Sequence, residues 1–195
     1  MKFGTLGIIV VLLGLLLIGG CNSYNGFVSA EEDVEKVWAD VQSQYQRRAD
    51  LIPNLVNTVK GAADFERETL EAVTNARAKA TSVNVDAGNL TPETLSQFQA
   101  AQGELSSALS RLLVSVERYP ELKATDNFKD LQVQLEGTEN RISKARDRFN
   151  EEATKYNKRV RRFPNSFFAS IFGFGEKAQF QAQQGAETAP TVNFD

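Results

Sequence analysis

The chain has 195 residues and a formal net charge of −3, so it is long enough for one domain with a sizeable core. The acidic balance argues against nucleic acid as a partner. The sequence contains no histidine, which excludes Ser-His and Cys-His catalytic sites, HExxH zinc sites and di-iron helix bundles. A single cysteine allows no intramolecular disulfide, and carboxylate binding of Ca²⁺ or Mg²⁺ is the metal chemistry left open. We therefore predict a non-enzymatic protein with no catalytic residue, cofactor or bound metal.

The first residues predict a membrane anchor or a signal peptide. An apolar run, residues 6–18, follows Lys2 and ends at Gly-Gly-Cys21. This order is typical of a bacterial lipoprotein signal, in which Cys21 is the lipid attachment site and the first mature residue. The alternative is an uncleaved membrane helix, because about 18 apolar residues span about 30 Å of hydrocarbon. Both interpretations anchor the chain to a membrane and place the following domain outside the cytoplasm.

Four segments after the anchor carry apolar residues at alternating spacings of three and four, which we call heptad seams. They predict an all-α fold, an antiparallel up-down bundle of four long helices. The third segment has a capping threonine before Pro92, and its seam contains one polar residue, Gln102. The predicted division is 1–21 anchor, 22–30 short linker, 31–163 bundle, 164–174 short aromatic helix and 175–195 extended tail, with helices beginning near Glu31, Glu66, Pro92 and Asp126.

Arg48 falls in the seam of the first bundle helix. An arginine at such a position requires a carboxylate, because an unpaired buried charge costs several kcal/mol. Counting from the predicted turn at Gly61 sets Arg77 level with Arg48. The same counting brings residues 145–152 opposite Arg48, where Glu152 occupies a seam position. We therefore predict a structural polar layer of Arg48, Arg77 and Glu152 that fixes the register of the helices.

Pro53 lies in the same helix, shortly after Arg48. Proline donates no hydrogen bond to the carbonyl of Ala49, so we expect a kink at this point. Arg47, Asn54 and Asn57 lie outside the seam and are candidate contacts for a protein partner in the envelope. The alternative is that they serve an intramolecular charge network and solvation of the helix.

A basic segment precedes the predicted short aromatic helix. Five of the eight residues 155–162 are basic, and phenylalanines follow. Basic residues beside an apolar helix face are a membrane-surface signature. The alternatives are that the charges complement the end of the long helix and that the phenylalanines close the bundle. The membrane-surface candidates are Arg161, Arg162, Phe167, Phe168, Ile171 and Phe172, and in the tail Phe180, Val192 and Phe194 are expected to pack back or to add to a partner.

Three stretches, QRRADLIPNLVNTVKG, LEGTENRISKARDRFNEEATKYN and RRFPNSFFASIFGF, resemble the LemA family of bacterial envelope proteins. The similarity covers nearly everything from Tyr24 to Asp195. It implies a membrane-anchored bundle of long antiparallel helices outside the cytoplasm, without an established activity or catalytic residues to transfer. The family usually has Gly-Tyr-Ala and then His-Glu where this chain has Gly-Ala-Ala at 61–63 and Phe-Glu at 65–66. Roles that rest on that histidine are therefore not transferred.

Two functional hypotheses follow. The first is a non-enzymatic envelope scaffold or interaction module held to the membrane by its N-terminus. The second is an accessory or regulatory subunit of a membrane enzyme such as a protease, which it contacts through the arginine segment. An enzyme in its own right is the least favoured class, because no acid-base constellation is present.

Overall fold

A computed structural model describes residues 2–61 and 66–181, and every regular element within these ranges is helical. The predicted all-α fold class is confirmed. Ala62, Ala63 and Phe65, where the sequence departs from the LemA pattern, lie outside the described residues, as do Val192 and Phe194. The elements are α1 (Lys2–Lys60), α2 (Arg67–Ser82), a 3₁₀ turn (Ala87–Asn89), α3 (Pro92–Val116), α4 (Pro120–Lys123), α5 (Asp126–Arg161) and α6 (Asn165–Phe172).

Helix α1 joins the apolar N-terminal segment to the bundle without a break. Its 59 residues correspond to a length of about 88 Å. The stretch 22–30, expected to be a linker, is helical throughout. It stays helical because no proline interrupts it and because Phe27 is fully buried, with its ring 5.1 Å from that of Phe174. The bundle therefore begins at the end of the apolar segment.

The helix ends follow the local chemistry of the sequence. Helix α1 ends at Lys60, and Gly61 lies in a turn, as the sequence predicts. Helix α3 begins with a capping box in which Thr91 and Thr94 exchange side-chain and backbone hydrogen bonds. The side chain of Thr125 caps α5 by accepting from the backbone N–H of Phe128. These caps satisfy amide groups that have no partner within the first turn of a helix.

Helices α1 and α5 run antiparallel along the bundle. Along α1, Gly26 contacts Arg159, Trp38 contacts Phe149 and Arg48 contacts Glu139, so the residue numbers on α5 fall as those on α1 rise. Helices α2 and α3 pair in the same antiparallel sense.

Two apolar clusters fill the bundle, one on each side of Arg48. We call them the anchor-side core and the distal core, according to their distance from the apolar segment. The distal core is mainly Leu, Ile and Val, and includes Phe128. The anchor-side core contains the aromatic residues Phe27, Trp38, Tyr45, Phe98, Phe149, Tyr156, Phe168 and Phe180.

Residues 174–181, which we call the strap, lie extended across the anchor-side core. Asn157 exchanges two hydrogen bonds with the backbone of Lys177, each 2.8 Å long. Asn150, seven residues away on the same face of α5, does the same with Phe180 at 2.9 and 3.0 Å. The ring of Phe180 lies 6.0 Å from Trp38. The first part of the predicted tail therefore packs back on the bundle.

Candidate functional site

Arg48 lies at the boundary of the two cores with 1% of its surface exposed. Its Nη1 donates to Ser106 Oγ at 2.9 Å and to Glu139 Oε1 at 2.8 Å. Its Nη2 donates to Gln102 Oε1 at 2.6 Å and to the Gln102 carbonyl oxygen at 3.3 Å. The guanidinium also lies 5.1 Å from the centre of the Tyr45 ring. One side chain on α1 is thereby bonded to α3 and α5 at a single level of the bundle.

The structure corrects the predicted partner of Arg48. Its carboxylate is Glu139, whereas Glu152 pairs with Lys155 at 2.7 Å. The register of α5 explains the correction, because Trp38 packs on Phe149 and Glu152 therefore lies on the anchor side of Arg48. The seam of α5 also steps from Phe149 to Ala153 rather than to Glu152. Ala153 is fully buried, while the Glu152 side chain is 27% exposed. Both steps fit a three-and-four alternation, and burying alanine avoids the cost of burying a charge.

Arg77 lies level with Arg48 but acts on the backbone. Its Nε donates to the carbonyl oxygen of Ala49 at 2.7 Å. This carbonyl is the one that residue 53 would satisfy in a regular helix, and Pro53 has no N–H to donate. Helix α1 continues through Pro53 to Lys60. Arg77 on α2 therefore supplies the hydrogen bond that Pro53 removes from α1.

Sequence reasoning missed three members of this site, namely Gln102, Ser106 and Glu139. Gln102 also donates from Nε2 to the carbonyl of Ala80 at 3.2 Å, which ties in the end of α2. Its position as the polar residue of an apolar seam was a usable signal, because buried polar groups need partners and Arg48 lies in a facing seam. Ser106 lies one turn further along α3. Glu139 is half-exposed and adjacent to the seam, so its spacing gives no such signal.

The three candidate partner contacts share one exposed face of α1. Arg47, Asn54 and Asn57 are exposed, and together with Asp50 they follow a three-four-three spacing. We call these four residues the outer stripe. It lies on the side of α1 opposite the buried seam. Within it, Asp50 accepts a hydrogen bond of 2.7 Å from Gln46, and the carbonyl of Asn54 accepts one of 2.9 Å from Thr58.

Helix α6 packs against α1 where the apolar segment ends. Phe168 is buried against Gly19 and Gly20, and a methyl group added at Gly20 would lie 3.4 Å from the Phe168 ring. Cys21 is exposed on the helix. Of the described helices, α1 alone is long and apolar enough to cross a membrane, with a window of mean hydropathy 2.0 that is 6% buried.

The other membrane-surface candidates take several positions around α6. Phe167, Ile171 and Phe172 are exposed. Arg161 is 3.7 Å from Glu176, and Arg162 lines a groove between α1 and α5. Of the six residues proposed for a membrane surface, Phe168 is thus the one that packs inward.

The titratable groups with shifted pKa values belong to the core or to surface ion pairs. Burial raises the pKa of Tyr45, although Arg146 and Arg48 act in the opposite direction. Burial, with the charge of Glu31, raises the pKa of Tyr156 to about 12. Both tyrosines are therefore neutral at pH 7. In the described ranges, no group of three His, Cys, Asp or Glu side chains is placed to hold a metal ion.

Comparisons with known proteins identify sequence relatives of this chain. A sequence model of the LemA family matches residues 37–194, which include most of the bundle. Magnetosome protein MamQ 2 of Paramagnetospirillum magneticum is 26% identical over 209 residues, covering 96% of this chain and 74% of that protein. Magnetosome protein MamQ of Magnetospirillum gryphiswaldense is 27% identical over 184 residues, with coverage of 85% and 67%. Protein LemA of Metamycoplasma hominis is 22% identical over 183 residues, with coverage of 94% and 80%.

Proposed function

We propose, from the premise that this chain belongs to the LemA family, that it is a non-enzymatic scaffold anchored in a bacterial membrane. In this role the distal half of the bundle presents a surface to a protein partner. The continuity of α1 carries the proposal, since one helix extends from the apolar segment through both cores. Gly20 and Asn54 are separated by about 51 Å of helix. A partner on the distal half is therefore held at a set distance from the bilayer.

The anchor in this proposal is a retained membrane helix. Phe168 packs on Gly19 and Gly20, so cleavage before Cys21 would remove part of the surface that α6 covers. The exposed apolar residues between Ile8 and Ile18 also favour hydrocarbon around this part of α1. With Lys2 on the cytoplasmic side, the positive-inside rule puts the bundle outside the cytoplasm.

Mass spectrometry of the mature N-terminus tests the retained helix. We expect an N-terminal peptide that includes residues before Cys21. A lipidated Cys21 as the first residue would overturn the retained helix and establish a lipoprotein anchor instead. Protease treatment of intact spheroplasts tests the orientation, because an external bundle is cleaved while the inner membrane is intact.

The interior of the bundle supports a structural rather than a catalytic role. The buried guanidinium of Arg48 is bonded to side chains of α3 and α5, and Gln102 extends the same network to α2. Apolar side chains fill the bundle on both sides of this layer. The absence of histidine from the sequence removes the commonest general base.

The outer stripe is the partner surface that we propose. It is polar and exposed, and it lies on the half of α1 that points away from the anchor. Arg47 adds a charge at one end, and Asn54 and Asn57 add amide donors and acceptors at the other. Polar rims of this kind set orientation and specificity in protein interfaces.

Site-specific photocrosslinking in intact cells tests this surface. A photoreactive residue at Asn54 should give one discrete crosslinked product, whereas the same residue at Asn140, which is exposed on α5, should not. The double variant Arg47→Ala, Asn57→Ala should weaken the product, and the matched pair Arg141→Ala, Lys144→Ala should leave it intact. Equal crosslinking from positions 54 and 140, or none from either, would overturn the outer stripe as the partner surface.

A further inference from the structure

We infer that α6 lies in the membrane interface, with its exposed apolar face at the boundary between lipid headgroups and acyl chains. The inference rests on the proposed anchoring by α1 and adds a second, peripheral contact between the bundle and the same bilayer. The occupant of the exposed face is thus lipid rather than a protein partner. Four observations support this: the direction of α6, its level along α1, the composition of its exposed face and the charges beside it.

The direction of α6 follows from its contacts. Near its start, Asn165 accepts a hydrogen bond of 3.2 Å from Ser23 Oγ. At its end, the ring of Phe172 lies 5.3 Å from that of Tyr24. Neighbouring positions on α1 thus contact both ends of a helix that is about 12 Å long. Helix α6 therefore crosses α1 instead of running beside it, and it lies roughly in the plane of a bilayer that α1 spans.

The level of α6 coincides with the end of the apolar segment. Phe168 covers Gly19 and Gly20, directly after the exposed side chain of Ile18. After Lys2, the next charged residue along α1 is Glu31. With hydrocarbon around residues up to 18, a helix that crosses at 20–24 lies at the headgroup boundary.

The exposed face of α6 is apolar. Phe163, just before the helix, is 88% exposed, and Phe167 and Ile171 are 57% and 61% exposed at spacings of four residues. Phe168 and Ala169 on the other face are buried. Such a stripe is unfavourable in water, and aromatic side chains favour the interface between lipid and water. Helix α6 contacts α1 at Gly19 and Gly20, where the exposed apolar surface of α1 ends, so one bilayer accounts for both surfaces.

The charges next to α6 fit lipid phosphates. Lys158, Arg159 and Arg162 line the groove beside α6, together with Lys155, Asp33 and Glu152. Lys155 and Glu152 pair with each other, and Arg159 donates to the carbonyl of Gly26. The remaining charges are three basic residues and Asp33, so the groove has a net positive charge. Basic residues at this level attract anionic headgroups.

Depth-dependent fluorescence quenching tests the inference on the full chain in nanodiscs of phosphatidylcholine and phosphatidylglycerol. Cys21→Ser removes the native thiol, and an environment-sensitive fluorophore is attached after Ile171→Cys. Leu13→Cys reports on the anchor, and Val133→Cys is the matched exposed apolar position on distal α5, where 67% of the side chain is accessible. Lipids with a nitroxide near the headgroup should quench the probe at 171 at least about twofold more than the probe at 133.

The three probe positions separate the possible outcomes. Quenching at 13 with none at 171 overturns the interfacial position of α6 and leaves the anchoring by α1 intact. No quenching at 13 overturns the anchoring and the inference together. A probe at 171 that is quenched best by nitroxides deep in the acyl region also overturns the inference, because α6 would then be inserted rather than interfacial. Circular dichroism of each labelled protein verifies that the bundle is folded.

Discussion

The anchor-side and distal halves of the bundle are closed by different means. In the distal half, α2 packs on α1 and α3, and aliphatic side chains fill the space between these helices and α5. Towards the anchor α2 has ended, and its place is taken by the loop after Ser82 and by the strap. Trp38 donates to the carbonyl of Val85 at 2.9 Å, and Ala178 donates to that of Leu90 at 3.0 Å.

This difference explains the composition of the two cores. Helices present side chains at regular spacing, so leucine, isoleucine and valine fill a distal core that helices surround. A loop and an extended strap leave wider and less regular gaps. Large rings fill them, as where Trp38 contacts Phe98, Phe149 and Phe180. Helix α2 thus covers the bundle only in its distal half.

Removal of the Phe180 side chain, which holds the strap on the bundle, should give the largest loss of stability. Phe180→Ala should lower the free energy of unfolding by about 3–5 kcal/mol, because it removes a buried ring between Trp38 and Phe149. Urea denaturation measures the loss. In this variant, hydrogen exchange should be faster for the strap amides, such as that of Lys177, than for the amides of the distal helices.

Phe163→Ala is the control for this prediction, since the same residue type is 88% exposed there. It should change the free energy of unfolding by less than about 0.5 kcal/mol. Equal effects at Phe180 and Phe163 would contradict a core that depends on the strap.

The polar layer between the halves should give the next effect. Glu139→Ala leaves the buried guanidinium of Arg48 without its carboxylate. The free energy of unfolding should fall by about 2 kcal/mol, less than the full cost of breaking a buried pair, because Glu139 is 49% exposed. Glu152→Ala removes only the surface pair with Lys155 and should cost less than about 1 kcal/mol. A larger loss for Glu152→Ala in urea denaturation would restore the partner that the sequence predicted.

Sequence periodicity predicted most of the helices because a helix depends on residues that are close together in the chain. The seams identify α3 and α5, the proline after Thr91 marks the start of α3, and Arg48 falls at a buried position. Each of these features depends on residues within a few turns of one another. The stretch 22–30 was expected to be a linker because its packing is not visible locally. Phe27 is buried against Phe174, which lies far away in the sequence.

The partner of Arg48 and the path of the strap could not be predicted from the sequence, although the burial of Phe180 agrees with one of the two roles expected for it. No turn joins α1 to α5, so their register depends on every connection between them, and small errors in each connection add up. The strap has no periodicity. The Phe180 ring is buried against Trp38, and Asn150 and Asn157 bond the backbone of the strap rather than particular side chains. Those contacts leave no pattern in the strap sequence itself.

A smaller effect is expected where Pro53 interrupts the hydrogen bonds of α1. Arg77→Met leaves the carbonyl of Ala49 without its donor and should cost about 1.5 kcal/mol. In a Pro53→Ala background the N–H of residue 53 satisfies that carbonyl, so the cost should fall by about 1 kcal/mol. Thermal unfolding of the four proteins in this cycle measures the coupling.

Arg67→Met is the control for the cycle, because Arg67 lies on the same helix with its side chain 90% exposed. Its effect should be below about 0.5 kcal/mol and the same in both backgrounds. Additive effects of Arg77→Met and Pro53→Ala would show that Arg77 does not replace the missing donor.

The smallest effect is expected at the far end of the distal half, where surface bonds hold α2 to α3. Thr69 and Arg118 donate to Glu66 and lower the pKa of this carboxyl below its ordinary value of 4.5. A pKa that is lowered in the folded state stabilises the protein at pH values above the ordinary pKa. This stability is lost as the pH falls through the folded pKa. The melting temperature of the native chain should therefore exceed that of Glu66→Gln at pH 7, and the two should converge under acid conditions.

Arg118→Met distinguishes the contribution of Arg118 to the pH dependence from that of Thr69. Thr69 still donates to Glu66 at 3.1 Å in that variant, so a reduced pH dependence should remain. The ionic part is exposed and should weaken in high salt. A gap between the native chain and Glu66→Gln that widens as the pH falls would contradict the sign of the pKa shift. If the difference in melting temperature follows the predicted sign but decreases strongly in high salt, the stabilisation is assigned to Arg118. A screened ion pair then closes this end of the distal half, whereas buried rings and a strap close the anchor-side half.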